Sequence, residues 1–455
     1  MTSPGEQLWG PQTERAVANV GRIAGPLTPD LIAAIVAIKI EAAAVNASRG
    51  VIAADVADAI RGAGEQVLAD DTMLAAQFPV DVFQTGSGTS SNMNVNEVLA
   101  RLASDLAELP VHPNDHVNAS QSSNDVFPSA IRIAALLRVQ RSLVPALDSL
   151  HARLADLAAA HTGTVKLGRT HLMDAVPMTF GQEAGGWARA VEQTAPLIAA
   201  ASERLHELAL GGTAVGTGLN APPGFGAEMA SALGTRLGLP LREAVDHFES
   251  QGGQEALGAL SAACRTVALT LNKIAGDIRL LGSGPAGGLG EVIVPDLQAG
   301  SSIMPGKINP VIMEVVQQIA AQVVGNDAAI TFASTNATLQ LTTAMPVMAS
   351  NLLASIELCG RAATLLADKG ISLLEVNALR MREHALRSPS LVTALAPYIG
   401  YDRAAVIAKS MVATGATIEQ AGRRELGDEA WDELAPHVAP ERMVYPDEGQ
   451  EPSGP

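Results

Sequence analysis

Four short polar segments interrupt a chain that is otherwise rich in Ala and Leu, and they hold the residues best suited to chemistry. They read TGSGTSSNMNVNE at 85–97, HPNDHVNASQSSND at 112–125, GRTHLMD at 168–174 and AGSSIMPGKINP at 299–310. Each is dense in hydroxyl and amide side chains and is uncharged or weakly charged. Such groups can surround an anion with hydrogen bonds without presenting a field of fixed cations. The segments together predict a site for a small anionic ligand.

The segment at 299–310 is the most informative of the four. It places Ser301, Ser302, Lys307 and Asn309 within nine residues, directly before Pro310, which can open a helix. Backbone amides, the ammonium group of Lys307 and the side-chain amide of Asn309 would then lie close together at the start of this helix. A Gly-Ser loop before a helix is also a common linker, so this segment alone leaves a purely structural interpretation open. The presence of all four segments favours a site.

His171 is the strongest candidate for proton transfer among the nine histidines. It follows Gly-Arg-Thr, and we expect it to lead a helix that carries Gln182 and Glu183 further on. Glu314 stands one turn into the helix that Pro310 opens, where a buried carboxylate can orient an imidazole or raise its basicity. Four other histidines occur among charged, helical or tail residues and are interpreted as solvated: His206, His247, His384 and His437.

The sequence indicates no cofactor site. GSSIMPGKI resembles a nucleotide phosphate loop, but five residues rather than four separate Gly300 from Gly306, and Ile308 stands where Ser or Thr must bind magnesium. The histidines show no HExxH pattern, and His112 with His116 has no third ligand at a suitable spacing. We therefore expect a mechanism that uses neither a metal nor an organic cofactor.

Composition and charge exclude several classes of protein. Hydrophobic residues make up 47% of the 455 residues and aromatic residues only 3%, a balance that suits packed helices. A formal net charge of −17 removes the cationic face that nucleic-acid binding needs. Cys264 and Cys359 lie in apolar helical patterns and provide neither a disulfide framework nor a cysteine zinc site. With no signal-like start and no uninterrupted apolar run of about 20 residues, we expect a cytoplasmic protein with no nucleic-acid or membrane partner.

Long apolar stripes at helical spacing predict an all-α fold. Five stretches carry such a pattern: 129–161, 187–208, 257–281, 310–324 and 346–366. Pro145 and Pro196 should kink their helices rather than end them, because the stripe keeps its phase across each proline. No series of alternating segments with hairpin turns predicts strands. Rods of this length with small residues on their other faces predict a homo-oligomer.

The pattern divides the chain into three segments. Residues 1–125 should form an N-terminal helical domain with shorter helices, and residues 126–375 a central bundle of long helices. Residues 376–455 are more charged and should form a small C-terminal helical domain. The tail after Tyr445 has no hydrophobic anchor and is predicted to be disordered.

The polar segments resemble those of the fumarase/aspartase superfamily, and most closely those of class II fumarases. GSSIMPGKIN is similar to the superfamily signature, and TGSGTSSNMN, HPND, SSND, GRTH and GGTAVGTGLN match further motifs in the same order. This resemblance implies a homotetramer whose central helices form a twenty-helix core, with each active site assembled from three subunits. It also implies reversible hydration of fumarate to L-malate, a reaction of the tricarboxylic acid cycle, without metal or organic cofactor.

The resemblance also implies a role for individual residues. Those that match the groups holding the two substrate carboxylates are Ser87, Gly88, Thr89, Ser122, Ser123, Asn124, Thr170, Ser302, Lys307, Ile308 and Asn309. Ser301 matches the catalytic serine, on a mobile loop, that removes a proton from the carbon next to a carboxylate. His171, paired with Glu314, matches the group proposed to handle the proton of the water or hydroxyl. A second, peripheral dicarboxylate site is matched by His112, Pro113, Asn114 and Asp115.

Departures from the class II pattern bear on the substrate. Where class II fumarases carry Phe-Glu-Leu-Asn, this chain has Leu-Gln-Leu-Thr at 339–342, and Gln340 is similar to some aspartases. The stretch at 376–384 also diverges. Aspartate ammonia-lyase, or another fumarate-forming lyase acting on a substituted succinate, is therefore the alternative enzyme, although Ser87 and Ser123 match the fumarase form. A non-enzymatic helical oligomer, as in the lens crystallins of the superfamily, is the third alternative, and the intact Ser301 argues against it.

Overall fold

The computed structural model describes residues 7–445, and the fold is all-α, with 67% of these residues helical. These residues form two compact units. Unit 1 takes residues 7–145, 194–269 and 319–361, and unit 2 takes residues 146–193, 270–318 and 362–445. The three-segment division stays a prediction. The tail that we expect to be disordered falls at 446–455, outside the described residues.

The helices follow one another with short connections. In the first half of the chain they are α1 Pro11–Val20, α2 Pro29–Ser48, α3 Ala54–Leu68, α4 Asp71–Ala76, α5 Thr89–Ala107, α6 Ser123–Arg138, α7 Val144–Ala160, α8 Phe180–Glu192, α9 Thr194–Glu203 and α10 Phe225–Leu237. In the second half they are α11 His247–Gly252, α12 Glu255–Leu281, α13 Val311–Ser334, α14 Met345–Leu365, α15 Ala378–Arg387, α16 Ala396–Ile399, α17 Tyr401–Thr414, α18 Ile418–Leu426, α19 Asp428–Leu434 and α20 Pro440–Met443.

Other regular structure is short. Single turns of π-helix occupy Pro113–Val117, Val139–Leu143 and Leu366–Ile371, and 3₁₀ turns occupy Arg204–His206, Pro389–Leu395 and Ala435–Val438. Four two-stranded sheets pair β1 Val165–Thr170 with β2 Met173–Thr179, β3 Glu207–Leu208 with β4 Arg242–Glu243, β5 Val292–Ile293 with β8 Glu375–Val376, and β6 Ala337–Thr338 with β7 Leu341–Thr342. The pair β3–β4 is parallel, and the other three pairs are antiparallel.

Four of the five stretches predicted from the apolar stripes are confirmed as long helices, and the stretch at 187–208 is divided among α8, α9, a 3₁₀ turn and β3. Helix α12 has 27 residues, which at about 1.5 Å per residue makes a rod of about 40 Å. Its stripe from Leu257 to Ile278 is at most 1% exposed at every position of the pattern. Helix α13 begins directly after Pro310 and continues to Ser334, beyond its predicted end. Hydrophobic burial along these stripes therefore selects the helices that form the framework of the molecule.

The two interior prolines behave differently. The helix that contains Pro145 continues from α6 into α7 through a π turn at Val139–Leu143, so it is modified rather than ended, as predicted. At Pro196 the prediction is wrong, because α8 ends at Glu192 and α9 begins at Thr194. Pro196 then falls in the first turn of α9, where its missing N–H has no helical partner to lose.

The β1–β2 hairpin corrects the expectation for His171. Instead of leading a helix, His171 occupies the two-residue turn of this hairpin together with Leu172, and both have left-handed backbones with φ of 55° and 61°. Two-residue hairpin turns with left-handed backbones usually contain Asn-Gly or Asp-Gly, and neither sequence is present here. Helix α8 begins only at Phe180, after a capping box formed by Thr179 and Gln182.

Helix α2 is a core helix of unit 1. Among the described residues it alone is long and apolar enough to span a bilayer, with a mean hydropathy of 1.7. However, 72% of that stretch is buried inside the protein, and Lys39 and Glu41 interrupt its apolar sequence. It packs against α3, where Gly64 lies under the side chain of Ile40.

Two glycines of α3 provide a matched test of this packing. A Cβ at Gly64 would lie 2.4 Å from Ile40 Cγ1, whereas a Cβ at Gly62 would meet only Leu106 Cδ1 at 3.4 Å. We expect Gly64→Ala to lower the free energy of unfolding by about 1–3 kcal/mol through overpacking. Gly62→Ala should be neutral or stabilising by up to about 1 kcal/mol through helix propensity. Urea denaturation of both variants measures the difference, and equal effects would contradict this account of α2–α3 packing.

Candidate active site

Unit 1 brings the first two polar segments together at two helix starts. Helix α5 begins after Gly88 and helix α6 begins after Ser122, which caps it. The hydroxyl of Thr89 shares hydrogen bonds with the hydroxyl of Ser87 at 2.9 Å and with that of Ser123 at 2.7 Å. Free backbone N–H groups and the helix dipole make such starts favourable for anions. These predicted carboxylate-binding residues therefore form one hydroxyl-lined surface.

Two glycines are required to build this surface. Gly88 has a φ of 74°, and a Cβ there would lie 2.2 Å from the ring of Phe127 on α6. A Cβ at Gly86 would lie 1.8 Å from the carbonyl oxygen of Thr343. The backbone before α5 consequently approaches two neighbouring segments more closely than any residue with a side chain permits.

The start of α6 is held from beneath by a buried carboxylate. Asp125, which is fully buried, accepts hydrogen bonds from the backbone N–H groups of Ser122 at 2.9 Å, Gly211 at 3.2 Å and Thr213 at 3.0 Å. Asn124 donates from its amide to the carbonyl oxygen of Ala214 at 2.8 Å. The GGTAVGTGLN segment is thus attached to the SSND segment through backbone groups, which orients the side chains of both.

A buried lysine completes this layer, and sequence reasoning missed it. Lys39 is fully buried, and its Nζ donates to Asn118 Oδ1 at 2.8 Å and Gln121 Oε1 at 3.0 Å. The same Asn118 oxygen accepts from the amides of Asn92 and Asn96 on α5. The sequence does contain a signal for it, namely a lone lysine in the apolar run AAIVAIKIEAAAV. A charge at a buried position of such a helix needs buried polar partners.

Burial controls the ionisation of this layer. It lowers the pKa of Lys39 to about 7, although the charge of Asp125 acts in the opposite direction. Burial also raises the pKa of Asp125 to about 7 against the backbone hydrogen bonds and the charge of Lys39. Both groups lie behind predicted ligand-binding residues, so their ionisation states bear on the surface in front of them.

The proposed peripheral site lies in a π turn of unit 1. His112 Nδ1 accepts a hydrogen bond from the backbone N–H of Asp115 at 3.1 Å and lies 3.2 Å from its carboxylate. The two side chains are 53% and 77% exposed. Pro113 and Asn114 complete the turn. The position is accessible to a solute, and the dicarboxylate site there stays a prediction.

Unit 2 holds the other two polar segments. Thr170 ends β1, and His171 projects at the exposed hairpin tip, where it makes no hydrogen bond or ion pair with any residue in 7–445. Gly168 lies at a bulge in β1, and a Cβ there would lie 2.8 Å from the carbonyl oxygen of Val176. The hairpin therefore presents an imidazole to the outside of its unit.

The serine loop is closed by its own backbone. The N–H of Gly300 donates to the carbonyl oxygen of Lys307 at 3.1 Å, and the Asn309 amide donates to the carbonyl oxygen of Gly300 at 2.7 Å. Ser301 Oγ accepts the N–H groups of Ile303 at 3.2 Å and Met304 at 3.1 Å. Three of the predicted ligand-binding residues are exposed on this loop: Ser302, Lys307 and Ile308.

Glu314 lies one turn into α13, as predicted, but it is 39% exposed and its carboxylate lies 3.7 Å from Arg279. His171 and Glu314 form no contact of hydrogen-bonding length within the described chain, so their pairing stays a prediction. Among residues 7–445, no group of three or more His, Cys, Asp or Glu side chains is arranged to hold a metal ion.

The interpretation of other histidines as solvated is wrong in three cases. The side chains of His206, His247 and His384 are 13%, 19% and 18% exposed, and each lies beside a glutamate. His437 stacks on Tyr398 with ring centroids 4.3 Å apart. His384 is the most notable, because its partner Glu291 is fully buried. The partners of His384 and His437 are distant in the sequence, so spacing carried no signal for them, whereas Glu203 and Glu243 lie three and four residues from His206 and His247.

Comparison with known families decides the relationship of the chain. The family model for lyases matches residues 1–325, and the model for the fumarase C C-terminus matches residues 391–445. The chain belongs to the fumarase/aspartase superfamily. This membership confirms the resemblance that the polar segments indicated, and it accounts for an all-α fold with long central helices.

Individual members of the superfamily resemble the chain over nearly its full length. Class II fumarate hydratase of Corynebacterium glutamicum is 47% identical over 92% of this chain and 88% of its own. That of Pseudomonas syringae is 46% identical over 97% of this chain and 96% of its own. The crystal structure of class II fumarase from Schistosoma mansoni superposes with a TM-score of 0.92 at 34% identity, covering 98% and 97% of the two chains. A cobalt-bound fumarate lyase/delta crystallin of Brucella melitensis gives 0.91 at 39% identity, with the same coverage.

Replacing the buried lysine tests its ionisation. The folded pKa of Lys39 lies below that of the unfolded chain, so its contribution to stability is lost as pH falls through about 7 and is fully present above the unfolded value. From pH 7 to 10 the stability of the wild type should therefore rise relative to that of Lys39→Met, by a few kcal/mol at about 1.36 kcal/mol per pKa unit. Chemical denaturation across this pH range measures the difference, and parallel curves would contradict it. Lys273→Met, at an exposed position of α12, is the control.

Proposed function

We propose that this chain is a class II fumarate hydratase, which adds water reversibly to fumarate to give L-malate. The observation that carries the proposal is 46–48% identity to class II fumarate hydratases across 92–97% of the chain, with all four polar segments intact. The geometry supports it, because hydroxyl and amide groups at helix starts, an ammonium group and an imidazole suit a dicarboxylate substrate.

The reaction requires stabilisation of additional negative charge. Removal of a proton from the carbon next to a carboxylate doubles the charge on that carboxyl group, so hydrogen-bond donors must be in place before the transition state forms. Lys307 supplies a cation on the serine loop, and Ser87, Thr89 and Ser123 supply hydroxyl groups. The remaining residues assigned to the carboxylates are Gly88, Ser122, Asn124, Thr170, Ser302, Ile308 and Asn309.

Ser301 is the proposed base for the carbon-bound proton. A serine hydroxyl is a poor base unless its alkoxide is stabilised. Ser301 Oγ accepts two backbone N–H groups, from Ile303 and Met304, and hydrogen bonds to the charged form of a group favour that form. The same two bonds hold the hydroxyl in one orientation, which reduces the cost of bringing it to the substrate.

His171 is the proposed acid–base group for the water or hydroxyl, oriented by Glu314. Its exposed place at the hairpin tip and the 39% exposure of Glu314 leave both groups available to a neighbouring subunit. A carboxylate against the imidazole would fix its tautomer and stabilise its charged form. The chemistry as written needs no metal or organic cofactor.

The assembly we propose is a homotetramer with active sites shared between subunits. Large apolar side chains remain exposed on the long helices α12 and α13, namely Leu269 at 50% and Phe332 at 75%. Exposed apolar surface of this kind on a framework helix is typical of a subunit interface. We also propose a cytoplasmic location and a dicarboxylate as the small-molecule partner, with a second, peripheral dicarboxylate site at 112–115.

One feature favours an ammonia-lyase as the second candidate. Leu339 and Gln340 form the turn between β6 and β7, and Leu339 is 86% exposed with a left-handed backbone. A turn with this sequence departs from the class II pattern. If this turn faces the substrate, the side-chain oxygen of Gln340 can accept a hydrogen bond from the amino group of an amino-substituted succinate. The amide favours that substrate over a hydroxyl-substituted one only where the substrate needs such an acceptor.

The first experiment follows the ultraviolet absorbance of fumarate with purified protein in buffer containing a chelator, with and without ammonium. We expect fumarate to be consumed without ammonium and in the presence of chelator. Consumption only with ammonium would identify an ammonia-lyase instead. A strict metal requirement would contradict the mechanism, and no turnover of any dicarboxylate would favour the non-enzymatic alternative.

Ser301→Ala should reduce kcat by about 10²–10⁴-fold, because it removes the proposed base. Ser283→Ala is the matched control, since its hydroxyl also accepts a backbone N–H within a turn, from Leu289 at 3.1 Å. The control should keep kcat and the oligomeric state of the wild type. A Ser301→Ala enzyme with wild-type kcat would exclude Ser301 as the base.

Shared sites are tested by mixing two inactive chains. Ser301→Ala and His171→Asn should each be inactive alone, yet their co-assembly should restore about one quarter of the sites, if each site takes its serine and its imidazole from different subunits at random. Activity of the co-expressed mixture relative to each parent measures this. A mixture as inactive as its parents would show that both residues come from one chain.

A further inference from the structure

Five charged or titratable side chains meet in the interior of unit 2, below the hairpin that carries Thr170 and His171. Glu291 lies at the centre and is fully buried. Its Oε1 accepts from Arg169 Nη2 at 2.5 Å and lies 2.7 Å from His384 Nδ1. Lys166 Nζ lies 3.7 Å from Oε2 and donates to Glu183 at 2.6 Å. We name these five residues, Lys166, Arg169, Glu183, Glu291 and His384, the Glu291 cluster.

The Glu291 cluster joins three elements that bear on the proposed site. Lys166 and Arg169 belong to β1, so Arg169 directly precedes Thr170. Glu291 directly precedes β5, and the chain continues from there to the serine loop at Gly300. His384 belongs to α15, which packs on β1 through Ala385 against Val165 and Leu167. One carboxylate therefore fixes the hairpin, the approach to the serine loop and α15 relative to one another.

The backbone of Glu291 strengthens this arrangement. Its N–H donates to the carbonyl oxygen of Leu281 at the end of α12, at 2.9 Å. Its carbonyl oxygen accepts from the N–H of Asn377 at 3.0 Å, and Asn377 in turn caps α15. Glu291 is held at its backbone N–H, at its carbonyl oxygen and at Oε1, so it cannot move with the hairpin. The position of the hairpin is therefore set by Glu291.

The charges of the cluster balance when His384 is neutral. Two cations, Lys166 and Arg169, then face two carboxylates, Glu183 and Glu291. Burial acts to raise the pKa of Glu291, but hydrogen bonds from Arg169 and His384 and the charge of Lys166 outweigh it and hold that pKa below its usual range. Glu291 is therefore ionised at neutral pH, and its second oxygen, Oε2, is buried without a hydrogen-bond partner.

His384 and Arg169 share one oxygen of the Glu291 carboxylate. Arg169 Nη2 and His384 Nδ1 lie 3.3 Å apart against Oε1. One atom of Glu291 therefore holds a residue of the hairpin and a residue of α15.

We propose that Glu291 is a positioning residue for the reaction, which holds the hairpin with Thr170 and His171 in place through Arg169. The proposal rests on the proposed function for its kinetic consequence only. Its structural consequence, a hairpin ordered by Glu291, is independent of what the enzyme turns over.

The test uses three variants of the full-length protein. Glu291→Gln removes the central charge, and Lys166 retains Glu183 as its partner. His384→Gln keeps a side-chain hydrogen-bond donor at that position. Glu183→Gln is the matched control, because it also removes one carboxylate beside Lys166 but touches neither Arg169 nor His384. For each we would measure kcat and KM for fumarate and hydrogen–deuterium exchange of the 165–179 peptide.

Glu291→Gln should lower kcat/KM by about a hundredfold at neutral pH and accelerate exchange in the 165–179 peptide. His384→Gln should remain within about threefold of the wild type, because glutamine retains a donor beside Oε1. Glu183→Gln should keep the kinetics and the exchange of the wild type.

Wild-type kinetics and exchange in Glu291→Gln would overturn the positioning role. Equal losses in Glu291→Gln and Glu183→Gln would also overturn it, because the effect would then not depend on Arg169. If Glu291→Gln does not fold, Arg169→Gln, which removes the same ion pair from the hairpin side, decides through the same two measurements. If the wild type does not turn over fumarate, the proposed function fails, and the exchange data alone confirm or overturn the inference.

Discussion

Hydrogen-bond donors for an anion are scarce in a helical protein, because a helix satisfies its own N–H groups everywhere except in its first turn. The positions of the polar segments follow from this constraint. Thr89 opens α5, Ser123 opens α6, and the serine loop runs directly into α13. The apolar framework holds these helix starts, and the loops before them supply hydroxyl and amide groups. Of the four polar segments, the one with His171 lies on the β1–β2 hairpin rather than at a helix start. An imidazole at the tip of a hairpin needs a rigid support and does not depend on a helix dipole.

Each polar surface is supported by a buried charged layer. In unit 1 that layer is Lys39 with Asp125, and in unit 2 it is the Glu291 cluster. Buried charges cost free energy unless they are paired and hydrogen-bonded, so their presence in both units calls for a reason other than stability. Orientation is a sufficient reason. Asp125 holds backbone groups of two segments, and Glu291 holds an arginine that adjoins Thr170, so each carboxylate indirectly fixes a residue that we propose faces the ligand.

The sequence was a good guide where one local rule dominates and a poor one where distant residues cooperate. Helix α12 was predictable because its stripe is buried along its whole length, and the start of α13 because Pro310 precedes it. The hairpin was not predictable, since His171 and Leu172 adopt left-handed backbones that usually require glycine or asparagine. The Glu291 cluster was also invisible, because its members span more than two hundred residues and no spacing rule joins them.

A net charge of −17 does not conflict with a dianionic substrate, because fixed charges act over limited distances. At physiological ionic strength, exposed charges are screened beyond about 8 Å, so the groups nearest the ligand decide binding. The groups proposed to lie there are neutral hydroxyls and amides together with Lys307, while Arg169 is already neutralised by Glu291. A site built in this way gains its selectivity from the direction of its donors rather than from excess positive charge. That explains why rigid support of the hairpin and the helix starts matters more here than the overall field of the protein.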